Sequence, residues 1–156
     1  MTFASIRTIK RMVLGGLCMA ALVSSTGASP VSAAPERARK LHAIKECSEY
    51  FGNAGDWCTI AVSNVKQMPV GSKFLYSQAM GVPAGLLDSN VVLDAGDGNR
   101  AQGRCTLELA TQLGLCTFSE GTGQLTGFRA RIEVSCPGDG IVCALEGTYS
   151  FNRDED

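Results

Sequence analysis

Several residues and patterns are scarce in this chain, and each scarcity removes a class of function. There is one histidine, His42, and no two cysteines stand at the close C-x-x-C spacing typical of structural zinc. Gly-x-Ser-x-Gly is absent, and a lone histidine leaves little from which to build a nucleophile–base–orienter triad. The stretch Asp94-Ala-Gly-Asp-Gly-Asn99 has too few oxygen ligands for a calcium loop and lacks the closing glutamate. Its Asp-Gly and Gly-Asn dipeptides read as a hairpin turn instead. No metal or cofactor is expected. Lysine and arginine form no cluster in the body of the chain, which argues against nucleic acid and anionic membranes as partners. The apolar run from Met12 to Val23 is shorter than the ~20 residues a membrane-spanning helix needs.

What is present begins with an address. Arg7, Lys10 and Arg11 precede that run, and Val31-Ser32-Ala33 has the small-residue pattern of a signal-peptidase site. Residues 1–33 therefore read as a signal peptide cleaved after Ala33, with no membrane span left after processing. Leu17 stands before Cys18 where a lipoprotein signal carries a small residue, so a lipid anchor is not expected. The chain from Ala34 keeps 11 basic against 15 acidic residues, a formal charge of −4. Its length suits one domain with a modest core.

Without Cys18, six cysteines remain: Cys47, Cys58, Cys105, Cys116, Cys136 and Cys143. An even set in an exported chain reads as a disulfide framework in an oxidising compartment, either periplasmic or extracellular. Six cysteines allow 15 pairings. Turn chemistry favours three sequential local bridges. Pro137-Gly138-Asp139-Gly140 lies between Cys136 and Cys143, Gly52 and Gly55 between Cys47 and Cys58, and Gly114 between Cys105 and Cys116. Each bridge is expected to contribute about 2–3 kcal/mol, mainly by restricting the unfolded chain.

Segment 34–56 is charged at its start and shows no strand alternation, so it reads as a leader that forms a short helix or stays flexible. His42 reads there as a solvated side chain. From Trp57 to the end the pattern is β. Phe128, Ala130, Ile132 and Val134 alternate with Arg129, Arg131, Glu133 and Ser135, which gives one dry and one wet face. Shorter versions recur from Trp57, Lys73, Asn90, Arg100, Leu115 and Ile141, separated by glycine-rich turns. Seven or eight strands about ten residues apart leave no room for crossover helices. The expectation is all-β: an antiparallel eight-stranded up-and-down barrel, with a Greek-key sandwich as the alternative.

In order and spacing the chain resembles the dirigent and allene oxide cyclase barrel superfamily, specifically exported bacterial allene-oxide-cyclase-barrel-like proteins. The residues that carry the likeness run from Cys58-Thr59-Ile60 and Ser63-Asn64-Val65 through Leu87-Asp88-Ser89 and Val91-Val92-Leu93-Asp94. They continue with Gly98-Asn99, Ala101, Gly103, Phe118, Gly121-Thr122-Gly123 and Gly127-Phe128-Arg129-Ala130, and end on Glu146-Gly147-Thr148-Tyr149-Ser150-Phe151. The resemblance implies an eight-stranded barrel with a lumen, in a family where homo-oligomers are common. It transfers no catalytic residue.

Within such a barrel, Phe74, Tyr76, Phe128 and Tyr149 are expected to line the lumen. Glu108, Glu133 and Glu146 are expected to face solvent rather than act as buried acids. Two functions fit. One is a non-catalytic exported barrel that binds a small apolar molecule or a partner. The other, implied by the family alone, is a cyclase or dirigent-type guide that holds a reactive intermediate folded in the lumen.

Overall fold

The computed structural model describes residues 37–152; the segment read as a signal peptide, Cys18 and the charged end after Asn152 lie outside the described residues. The eight strands are β1 (Arg39–Glu46), β2 (Trp57–Ser63), β3 (Lys73–Tyr76), β4 (Leu86–Asp94), β5 (Arg100–Glu108), β6 (Leu113–Gly121), β7 (Phe128–Ser135) and β8 (Val142–Phe151). Each pairs antiparallel with its sequence neighbours, and β1 pairs with β8 along its whole length, from Arg39↔Tyr149 to Glu46↔Val142. The sheet is a closed up-and-down barrel, so the sandwich alternative is not realised. Closure gives every described strand a partner on both sides.

Segment 34–56 is where expectation and structure part. It contains β1, which joins the two ends of the sheet, so the barrel starts at Arg39 and not at Trp57. The reason is visible in the burial of β1. Leu41, Ala43 and Lys45 point inward while His42 is exposed and Ile44 only half-buried. An inward lysine beside an outward isoleucine inverts the hydropathy that a strand normally shows.

Alternation is clearest in β7. Phe128, Ala130, Ile132 and Val134 are all buried, and the arginines and Glu133 between them are exposed. Close strand approach requires glycine at several points, Gly103, Gly114 and Gly147 among them. A Cβ on Gly147 would collide with the Arg131 carbonyl of β7, and one on Gly103 would strike the Phe118 ring of β6.

The two ends of the barrel differ. At one end the connections fold inward: Val65 and Met68 from the β2–β3 connection and Leu125 from the 3-10 turn Gly123–Leu125 are fully buried. Beneath them runs a chain of rings. Phe118 contacts Phe74 at 5.5 Å and Phe128 at 6.1 Å between centroids, and Phe128 contacts Phe151 at 5.4 Å and Tyr149 at 6.2 Å. That end is packed shut.

The opposite end carries the β1–β2, β3–β4, β5–β6 and β7–β8 connections, and they are tied into a ring. Met80 N donates to Gly52 O (2.9 Å), Leu109 N to Gly85 O (3.0 Å), Cys136 N to Gln112 O (3.0 Å) and Cys47 N to Ile141 O (2.8 Å). The three sequential disulfides are present: Cys47–Cys58, Cys105–Cys116 and Cys136–Cys143. The first and third staple the bases of the β1–β2 and β7–β8 connections; the second joins residues directly opposed on β5 and β6.

Candidate functional site

Three polar side chains are buried among the described residues: Lys45, Ser72 and Ser89. The serines are explained by the backbone. Ser72 Oγ donates to the Pro69 carbonyl at 2.6 Å. Ser89 Oγ donates to the Asn90 carbonyl and accepts from the amides of Ser77 and Gln78. Lys45 is different. It is only 3% exposed, and among the described residues no carboxylate lies within ion-pair distance of it. Its Nζ donates to Tyr76 Oη at 2.5 Å and sits 5.3 Å and 5.7 Å from the ring centroids of Tyr76 and Phe74. Cation–π contact offsets part of the desolvation of an ammonium, though a buried charge normally needs an opposite charge as well.

Lys45 and Tyr76 face a cavity of about 300 Å³ at the loop-ringed end. Leu87, Leu107, Leu109 and Met80 supply apolar wall, and both rim disulfides border it. Tyr50 closes one side. Its loop is shaped by Asp56, whose Oδ2 accepts from the amides of Phe51 and Asn53 at 2.8 Å each. The Tyr50 ring lies 4.9 Å from that of Tyr76. Tyr50 Oη is buried and has no hydrogen-bond partner. Its pKa is pushed up to about 12, first by burial and then by neighbouring Tyr76 and Asp56. At neutral pH it is a phenol with an unused donor. An unpaired buried hydroxyl costs about 1–3 kcal/mol, which a ligand atom of the right kind would recover.

One carboxylate, that of Asp139, borders the cavity from its solvent side. Asp139 is solvent-exposed, and its Oδ1 accepts from the Ile141 amide at 3.0 Å within its own turn. Gln112 Nε2 is committed to the Gly138 carbonyl at 3.0 Å. Among the described residues no three of His, Cys, Asp and Glu come together as a metal site would require.

No protein-family model, curated protein or solved structure matches the chain.

Of the four residues expected to line the lumen, all are buried in the barrel, but only Tyr76 borders the cavity. Phe128 and Tyr149 belong to the ring chain at the packed end, and Phe74 sits between the two regions. Glu108, Glu133 and Glu146 are all exposed. His42 is on the outer face of β1 and has a carboxylate partner after all: its Nδ1 lies 2.5 Å from Glu146 Oε1, because the register sets His42 opposite Glu146. Both side chains are about half exposed, so the pair contributes little to stability. Asp94 to Asn99 forms the expected turn, with Asp94 taken up by the Gly96 amide and Arg100.

The residues missed in the sequence are Lys45 and Tyr50. A signal for Lys45 existed: in Leu41, Ala43, Lys45, Cys47 it occupies the inward parity of an otherwise apolar series. Tyr50 carried none, since loop residues have no period.

Proposed function

We propose that this protein is an exported, disulfide-stapled barrel that takes up one small, mostly apolar molecule in the cavity at its loop-ringed end. The observation that carries the reading is the cavity itself, about 300 Å³ of apolar and cystine wall into which a buried ammonium and two phenols are set. A concave apolar site with few, convergent polar groups is what small-molecule pockets have in common. Export is supported by the N-terminal signal pattern and by six cysteines paired as three bridges.

Native mass spectrometry of oxidised protein isolated from its host tests this. The expected result is a retained mass of small-molecule size that is lost in Leu107→Trp, where an indole occupies cavity space. Ligand-free protein from the host, with no small amphiphile raising the wild-type Tm, overturns it.

A second reading uses the same cavity for chemistry. The likeness to dirigent and allene oxide cyclase barrels implies cyclisation or guided coupling, and the Tyr76–Lys45 pair is a polar device within an apolar chamber that favours it. Turnover of a reactive intermediate that falls in Tyr76→Phe while its binding persists supports catalysis; binding without turnover leaves the first reading alone.

A further inference from the structure

We infer that the molecule bound in this cavity is a small monocarboxylate, whose head group supplies the countercharge that Lys45 lacks. The inference rests on the cavity being a ligand site, and it concerns what that site selects.

The buried polar groups of the cavity, Lys45 Nζ, Tyr76 Oη and Tyr50 Oη, are donors, while Asp139 and Gln112 border it nearer solvent and are engaged by the Ile141 amide and the Gly138 carbonyl. Lys45 Nζ has three N–H bonds and spends one on Tyr76 Oη. Having accepted that bond, the Tyr76 hydroxyl has its own proton left to give. Tyr50 Oη is buried, protonated at neutral pH and without a partner. An ammonium and two phenols around one apolar chamber offer hydrogen bonds and a positive charge, and they ask for an acceptor that carries negative charge. Charge-assisted bonds of this kind are about twice as strong as neutral ones.

Alternatives fit less well. A cationic ligand would meet Lys45 in a chamber without an inner carboxylate, since Asp139 is at the solvated rim. A neutral ligand would leave the ammonium with a phenol and two ring faces as its only compensation. A dianion would bring one charge more than the chamber can match. The volume, at the small end for ligand pockets, sets the body of the ligand at roughly the size of a phenylalkyl group.

Isothermal titration of the oxidised protein with 3-phenylpropionate and with 3-phenylpropan-1-ol separates charge from shape. The carboxylate is expected to bind at least tenfold more tightly than the alcohol. Lys45→Met fills a similar volume without a charge to desolvate, and its fold is checked by near-ultraviolet circular dichroism. In that variant the preference is expected to vanish while the affinity for the alcohol is kept. Tyr50→Phe, which removes one donor and no bulk, is expected to weaken the carboxylate severalfold and the alcohol less. Equal affinity for the two probes, or a preference that survives in Lys45→Met, overturns the monocarboxylate inference and leaves the cavity reading standing. If neither probe binds the inference is overturned as well. If in addition the host-isolated protein carries no small molecule, the cavity reading falls with it.

Discussion

Tyr50 shows how burial alone can turn an ordinary side chain into a marked one. Its phenol holds its proton up to about pH 12 because ionisation in an apolar wall, beside a second tyrosine and an aspartate, is unfavourable. The unfolded chain ionises near pH 10. Between those values the folded state binds more protons, so stability attributable to Tyr50 is fully present below pH 10 and is lost as pH rises through 12. Absorbance at 295 nm is expected to resolve a phenol that titrates near pH 12 and disappears in Tyr50→Phe; a midpoint near 10 for every tyrosine would contradict the buried placement. Nothing in the sequence marks this residue, because its burial is created by loop packing. Lys45 shares the parity of Leu41, Ala43 and Cys47, but the charge of its segment led that segment to be read as a leader and not as a strand.

At the scale of elements, alternation told the truth wherever one face of a strand is dry and the other wet. It served β5, β7 and β8 well, and it failed for β1, where the buried lysine breaks the pattern that would have revealed the strand. Disulfide pairing was legible from glycine-rich turns between neighbouring cysteines, because antiparallel hairpins bring sequence neighbours face to face. The ring of connections was not, because its hydrogen bonds join segments far apart in the chain. Gly147 belongs to this scale too. With the β7 backbone where its Cβ would lie, Gly147→Ala is expected to force β7 and β8 apart and cost about 1–3 kcal/mol, as read by a lower urea midpoint with unchanged slope. An unchanged midpoint would mean the two strands are less closely apposed than described.

For the whole molecule, the closed order of strands follows from short connections and the need to hide edges, and so could be anticipated. Which end is plugged could not, since that depends on how Val65, Met68 and Leu125 fold over one mouth. The place of β1 has a direct consequence for any shortened version. A chain beginning at Trp57 keeps seven strands but exposes one edge each of β2 and β8, and is expected to lose cooperative thermal unfolding and to aggregate. A version beginning at Arg37 is expected to unfold in one sharp transition. Equal cooperativity in both would show that the first strand is dispensable.

The pairing of β1 with β8 also governs the order of events during biosynthesis. A chain that emerges N-terminus first into its folding compartment lets β1 meet β2 early, but β1 must wait for its other neighbour until residues 142–151 have emerged. Through that interval a nascent chain shows an open flank capable of templating intermolecular β contacts. Holdase chaperones that recognise extended segments would find their substrate in this flank, and their demand would end when the final hairpin snaps into place.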